Sequence, residues 1–224
     1  MHPSNYPTAW EHPPTRRAWA KQTTLGIFAF IGWFLTPWCL LAFLVVFLSP
    51  GFIPLFIIPM VYSAYLARKQ PLLILIDFRT RRLLRAYPWH LGNPPFSLSP
   101  HSDSSSTKPW LEFPNPARPE ELIPMHFHML DRTGWWSRRM GPRAKPELKA
   151  QLAQIWFAGD PRFLGIIAAT APESDSDNLT PKRMLFLAHY DEKKKFTSLD
   201  VNPWLATPED LDRARQVVKW RQRG

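Results

Sequence analysis

The chain has 224 residues, a formal net charge of +10 and 25 prolines, which is about twice the usual share of proline. Its single cysteine, Cys39, excludes an intramolecular disulfide and any site built from paired cysteines. The excess of basic residues suits nucleic acid and anionic membranes equally well, so charge alone does not identify a partner.

The N-terminal third predicts a membrane anchor. Residues 1–22 form a basic, polar tail, and residues 23–48 then contain no Asp, Glu, Lys, Arg or His. About 20 apolar residues suffice to cross the hydrocarbon core, so this run is long enough to span it, and it is too long for a cleaved signal peptide. Ser49-Pro50-Gly51 predicts a turn, and residues 52–67 form a second uncharged run. We therefore expect a two-helix transmembrane hairpin over residues 23–69.

Basic residues set the expected orientation. Lys and Arg flank both outer ends of the hairpin and are absent from its turn, so the positive-inside rule places both termini in the cytoplasm. In a bacterium the protein would be an integral protein of the inner membrane. The spans contain no charged residue that could form an ion pathway, which argues against a channel or transporter.

Residues 70–224 predict a cytoplasmic α+β domain of antiparallel strands with two helices, interrupted by an irregular, proline-rich insertion over residues 92–120. A β-hairpin is expected directly after the membrane, and a helix that starts with Pro146 is expected near the middle. A second helix should start at Thr207-Pro208. The predicted strands are 72–78, 82–89, 122–130, 163–169, 184–190 and 196–201, and the predicted helices are 145–157 and 207–221.

Catalytic and metal-binding patterns are weak. His126 and His128 would lie on one face of a strand, but only His189 offers itself as a third ligand, and zinc needs three or four. Ordinary polar strand positions explain these histidines better. No nucleophile, phosphate-binding or metalloprotease motif occurs, so we expect neither a cofactor nor an enzyme. A membrane enzyme would instead show a pocket with perturbed titratable groups.

Two basic clusters are the candidate contact sites, for anionic lipid or for a protein partner. The first is juxtamembrane, and the second combines adjacent tryptophans with arginines, which could stack on a partner or place one ring inward and one outward. A solvated turn explains the first cluster equally well. Membrane tethering makes nucleic acid an unexpected partner, whereas the lipid bilayer and a protein are expected ones. The residues are Arg68, Lys69, Arg79, Arg81, Arg82 and Arg85 in the first cluster, and Trp135, Trp136, Arg138 and Arg139 in the second.

The two spans followed by IDFRTRRLLRAYPW, residues 76–89, resemble small uncharacterised bacterial two-span membrane proteins found in type VI secretion and toxin–immunity neighbourhoods. The resemblance implies a membrane-anchored cytoplasmic interaction module that serves as an immunity or accessory protein. A similar layout occurs in membrane proteins with pleckstrin-homology-like domains. That alternative implies a regulator that senses lipids or signals.

Overall fold

The computed structural model describes residues 2–47, 53–92, 110–127, 134–140, 144–152, 155–170, 181–189 and 206–218. These residues form an α+β structure, as predicted. A short 3-10 turn, Pro3–Asn5, precedes two long helices and a sheet. The elements are α1 (Pro13–Phe47), α2 (Ile53–Ala86), β1 (His90–Gly92), β2 (Trp110–Asn115), β3 (Arg118–Phe127), α3 (Gly134–Met140), α4 (Pro146–Ala150), β4 (Ile155–Asp160), β5 (Leu164–Thr170), β6 (Pro181–His189) and α5 (Pro208–Val218).

The chain divides into two compact units. The helical unit is Trp19–Phe78, and the sheet unit joins Met1–Ala18 to Arg79–Gly224. The first 18 residues of the predicted tail thus cluster with the sheet unit, and residues 70–78 cluster with the helical unit.

Within the helical unit, α1 and α2 pack antiparallel. The indole of Trp19 donates a hydrogen bond of 2.8 Å to the backbone carbonyl of Asp77, near one end of the pair. Farther along, the rings of Trp33 and Tyr62 meet edge to face at 6.3 Å. The connection at residues 48–52, where the turn was predicted, lies outside the described residues.

A single helix in the described part of the chain, Pro13–Leu44, is long and apolar enough to cross a membrane, and only 6% of its most apolar window is buried. A core helix of a soluble protein would be mostly buried, whereas this one is exposed. The predicted hairpin of two spans is thus found in part. Residues 53–67 do not form a helix of their own, because α2 continues through Arg68, Lys69 and Asp77 to Ala86.

The predicted β-hairpin at 72–78 and 82–89 is wrong, because residues 53–86 form one helix. The buried side chains of this segment recur at three- and four-residue intervals, which is the helical period. Polar residues occupy several of these positions and disguise the pattern in the sequence. The buried positions are Gln70, Ile76, Asp77, Thr80, Leu83, Leu84 and, just past the helix, Tyr87.

The sheet unit is built on a six-stranded sheet of order β1-β4-β5-β6-β3-β2, and all its neighbouring strands are antiparallel. One face carries the main hydrophobic core and is covered by Trp136 and Met140 of α3. Trp156 alternates with the core residues Ile155 and Phe157, so it lies on the other face. There its ring contacts His2 at 5.0 Å.

Two further boundaries correct the predictions. The insertion expected over residues 92–120 includes β2 and the start of β3, and residues 93–109 lie outside the described part. The helix expected over 145–157 stops at Ala150, and Ile155 begins a strand that pairs with β5. The helical spacing of Leu148, Leu152 and Ile155 was misleading, because Ile155 and Phe157 face one core together.

Several predicted elements are confirmed. The strands expected at 122–130, 163–169 and 184–190 correspond to β3, β5 and β6. Pro146 occupies the first turn of α4. Thr207 caps α5, accepting a hydrogen bond of 3.2 Å from the Asp210 amide, and the Asp210 carboxylate accepts one from the Thr207 amide. The strand predicted at 196–201 lies outside the described residues.

Candidate functional site

The helical unit places polar residues inside and apolar residues outside. Its buried positions include the polar side chains of Thr23, Ser63, Gln70 and Asp77. Asp77 accepts a hydrogen bond of 2.9 Å from the amide of Gln22. The exposed positions instead carry large apolar side chains: Leu25, Ile27, Phe28, Ile31, Phe34, Leu35, Trp38, Leu41, Phe43 and Val46 on α1, and Ile57, Ile58, Val61, Tyr62, Tyr65, Leu72 and Phe78 on α2.

Exposing these apolar side chains to water would be unfavourable. A contiguous apolar surface of this kind marks a site of interaction with a protein or a membrane. Small and polar residues at helix contacts are, by contrast, typical of helices that pack in lipid. Gly26 illustrates the close approach, because a methyl group there would lie 3.7 Å from the Asp77 carboxylate and 4.0 Å from Ile74. Lipid therefore matches this surface better than water does.

Arg68 and Lys69 lie in the middle of α2. Arg68 is exposed, and the ammonium of Lys69 lies 4.2 Å from the centre of the Tyr65 ring. Long basic side chains with apolar stems can extend from a helix towards headgroups. Their position suits the boundary between lipid and water.

The arginines predicted to form a turn lie instead on the last turns of α2, in the sheet unit. Arg79 and Arg81 are half-buried, and Arg82 and Arg85 are exposed. The guanidinium carbons of Arg81 and Arg85 lie 5.0 and 5.3 Å from the centre of the Trp10 ring. We call Trp10, Arg81 and Arg85 the Trp10 cluster. Sequence reasoning missed Trp10, because some 70 residues separate it from its partners.

Backbone contacts fix the Trp10 cluster. The amide of Trp10 donates to the carbonyl of Leu84 at 2.8 Å, and the amide of Ala9 donates to that of Tyr87 at 2.9 Å. These bonds satisfy carbonyls that the end of a helix leaves without intrahelical partners. The N-terminal segment therefore caps α2.

A buried polar contact joins the start of α1 to the residues after α2. The indole of Trp89 donates to the Thr15 hydroxyl at 2.9 Å, and the same hydroxyl lies 2.9 Å from Nδ1 of His12. Burial lowers the pKa of His12 from 6.5 to about 4, because an apolar environment disfavours the charged imidazolium. His12 is therefore neutral at physiological pH.

The second predicted cluster lies on α3 and is divided by burial. Trp136 is buried in the core, and the half-buried Trp135 also packs against that core, so the two rings do not divide into one inward and one outward. The guanidinium of Arg139 lies over the Trp135 ring at 3.8 Å. It donates to the side-chain oxygen of Gln151 at 2.8 Å and to the Trp135 carbonyl at 3.1 Å. Arg138 is exposed.

A third charged group was not predicted. Arg162, which is 7% exposed, donates to Asp160 at 2.6 Å and to Asp210 at 2.8 Å, and so links the β4–β5 turn to α5. Burial, reinforced by Asp160, raises the pKa of nearby Tyr87 to about 12. The charges of Asp160, Arg162 and Asp210 are paired with one another, which indicates a structural role for this group.

The histidines offer no metal site in the described residues. His126 is half-buried on β3, His128 lies outside the described part, and no group of three or more His, Cys, Asp or Glu is placed to hold a metal ion there. No family model matches this chain, and no curated protein or solved structure matches it either.

Proposed function

We propose that the protein is a membrane-anchored interaction module, held in the bilayer by α1 and the first part of α2, with its sheet unit in the cytoplasm. The proposal rests on the distribution of side chains in the helical unit, which is the reverse of that in a soluble protein. Polar residues are buried between the helices, and large apolar residues are exposed. Such a surface is stable in lipid and costly in water.

The membership of the two units supports a second crossing. Residues before Trp19 and after Phe78 belong to one compact unit, which favours a position for both on one side of a membrane. A chain that crosses through α1 would then return before Arg79. The contact between the Trp33 and Tyr62 rings supports a return through the first part of α2.

The dimensions agree with a full crossing by α1, whereas residues 53–67 of α2, at about 1.5 Å each, span roughly 22 Å. Arg68 lies six residues after Tyr62 on α2. On the antiparallel α1, the corresponding position lies six residues before Trp33 and is Ile27. From Ile27 to Phe47 is 21 residues, which at about 1.5 Å each gives roughly 30 Å, the thickness of the hydrocarbon core. Arg68 and Lys69 then mark the cytoplasmic boundary.

Two measurements test this proposal. Alkaline carbonate washing should leave the intact chain in the membrane pellet, and reporters fused to each terminus should both report the cytoplasm. Release by carbonate, or reporters on opposite sides, would overturn the proposal.

The resemblance of residues 76–89 adds a candidate role, that of an immunity or accessory protein for a secreted toxin. The segment that carries this resemblance is a helix and not a hairpin. The role is tested by deleting the gene and challenging the cells with toxins encoded beside it, with loss of protection as the expected result. Unchanged survival and unchanged secretion would remove the role.

A lipid-sensing regulator is the second candidate, and the Trp10 cluster favours it. Basic residues beside an anionic leaflet contribute about 1 kcal/mol each. The Arg81→Gln/Arg85→Gln variant should lose the thermal stabilisation that anionic lipid gives the chain in nanodiscs, whereas Arg138→Gln should keep it. Equal stabilisation of all three proteins would contradict this role.

A further inference from the structure

The sheet unit carries a concentration of positive charge on the α3 side that the juxtamembrane residues do not explain. Arg138 and Arg139 lie on α3, and Arg183 lies on β6. The pKa of Arg139 is lowered by its partial burial and then by the charges of Arg183 and Arg138. Among the described residues, none of the three forms an ion pair. We call Trp135, Arg138, Arg139 and Arg183 the Trp135 cluster.

The guanidinium of Arg139 has a fixed orientation and unused hydrogen-bond donors. Its stacking on Trp135 and its bonds to Gln151 and the Trp135 carbonyl fix its plane. An arginine side chain has five N–H donors, and these bonds use two of them. The other three have no partner in the described part of the chain. A fixed guanidinium with unused donors is suited to a carboxylate or a phosphate.

The backbone at Arg183 is strained. Its φ is +58°, which makes it the one non-glycine residue with positive φ in the described ranges. The pairing of β5 with β6 is irregular close by, between Ile167 and Ala169. A residue other than glycine is costly in this conformation, and such strain concentrates at binding sites. Glycine would adopt this backbone conformation at a lower cost in free energy, so backbone stability does not explain why an arginine occupies position 183.

The location separates the Trp135 cluster from the membrane contact. Trp136 packs into the core on one face of the sheet, whereas the N-terminal segment that includes Trp10 contacts Trp156 on the other face. Layers packed face to face lie about 10 Å apart, and electrostatic interactions in physiological salt are screened over a comparable distance. If the Trp10 cluster faces the bilayer, the Trp135 cluster faces the cytoplasm.

We infer that the Trp135 cluster is the docking site for an acidic segment of a cytoplasmic protein, with Arg139 as its fixed contact and the exposed Arg138 and Arg183 as further contacts. This inference rests on the proposed function and names the surface that the partner contacts. Charge complementarity between three arginines and carboxylates would bring the partner together with the module. Trp135 adds a flat apolar surface of the kind enriched at interface hot spots.

The test uses the full chain in nanodiscs of neutral phosphatidylcholine, so that no anionic lipid competes. The probe is a fluorescein-labelled peptide of twelve glutamates, followed by fluorescence anisotropy. Arg138→Gln/Arg139→Gln should weaken binding at least tenfold. The matched control, Arg16→Gln/Arg17→Gln, removes the same charge from two exposed residues at the start of α1 and should change binding less than twofold.

Arg183→Gly separates binding from folding. Because glycine relieves the positive φ, the thermal midpoint should stay equal or rise, while binding of the glutamate peptide falls at least threefold. An unchanged affinity in this variant and in Arg138→Gln/Arg139→Gln would overturn the inference. So would equal losses in the matched control, which would show that only total charge matters.

Two further arms identify the class of ligand. A single-stranded oligonucleotide of equal charge should bind more weakly than the peptide, and anionic nanodiscs should not compete with the peptide at the Trp135 cluster. Tighter binding of the oligonucleotide, or competition by anionic lipid, would overturn the assignment to protein. The anchor itself is judged separately by carbonate extraction, so a failure of docking leaves the membrane proposal intact and a failure of extraction leaves these affinities measurable.

Discussion

At the scale of residues, the ion pairs of Arg162 with Asp160 and Asp210 give the clearest prediction about stability. Removing one member of a buried ion pair leaves the others charged and unpaired, which costs about 3 kcal/mol. We therefore expect Arg162→Ala to lower the free energy of unfolding by roughly that amount, measured by urea titration of the detergent-solubilised chain.

The chain supplies a control for this prediction. Arg215 pairs with Asp212 at 3.2 Å, but both side chains are more than half exposed. Exposed pairs contribute about 0–1 kcal/mol, so Arg215→Ala should leave stability nearly unchanged. Similar losses in the two variants would show that the Arg162 network is no more important than a surface pair.

His12 predicts a dependence of stability on pH. Its pKa is about 4 when folded and 6.5 when exposed, so between these values the unfolded chain binds more protons. The contribution of neutral His12 is full above pH 6.5 and is lost as the pH falls towards 4, by an amount on the order of 2 kcal/mol.

The measurement compares unfolding of the unmodified chain and of His12→Gln between pH 7 and pH 4. The difference in stability between the two proteins should shrink on acidification. A difference that stays constant over this range would refute the role of His12.

Gly159 lies on β4, where it pairs with Gly165 of β5, and the close approach of the two strands requires a glycine. Its φ is +143°, and a methyl group there would collide with the Leu164 carbonyl and the Gly165 backbone. Gly159→Ala should therefore destabilise the sheet unit by more than about 2 kcal/mol in thermal unfolding. Gly134→Ala is the control, because a methyl group at Gly134 meets nothing within 4 Å and should be neutral or slightly stabilising.

At the scale of elements, the packing of α1 on α2 can be tested by cross-linking. In a Cys39→Ser background, Trp33→Cys/Tyr62→Cys should be joined by a short bis-maleimide cross-linker, since the rings of Trp33 and Tyr62 meet across the two helices. Leu35→Cys/Tyr62→Cys should not, because Leu35 lies two residues farther along α1 and is 48% exposed. Equal cross-linking of the two pairs on a gel would contradict the antiparallel register.

The elements also show what could be predicted from sequence. Thr207 was recognised as a cap because capping is local and needs only neighbouring residues. The last part of α2 was mistaken for two strands, because Asp77 and Thr80 are buried against partners that no local pattern reveals. The end of the helix predicted from Lys145 was misplaced because Ile155 continues the helical spacing by coincidence.

The candidate sites follow the same rule. The arginines after residue 78 and the Trp135-Trp136 pair were predicted, since charge and aromatic content are visible in the sequence. Trp10 was not, because its contacts depend on how the chain returns to its start. Arg183 was not either, because only the folded backbone shows its positive φ.

At the scale of the whole molecule, membrane insertion explains the distribution of polar and apolar residues better than solution does. The N-terminal segment and the long C-terminal region belong to one unit, and the apolar helices occupy the chain between them. A protein anchored through its middle can keep both ends together on one side of the bilayer. We propose lipid as the partner of the Trp10 cluster and a protein as the partner of the Trp135 cluster.

Cys39 gives the most direct test of this account. It is the single cysteine of the chain, and it is exposed on α1 in the apolar stretch. In native membranes a charged, membrane-impermeant maleimide should fail to label Cys39 before SDS is added and should label it afterwards, whereas Arg17→Cys in a Cys39→Ser background should be labelled in opened vesicles without SDS. Rapid labelling of Cys39 in untreated membranes would show that α1 faces water, and the account would be wrong.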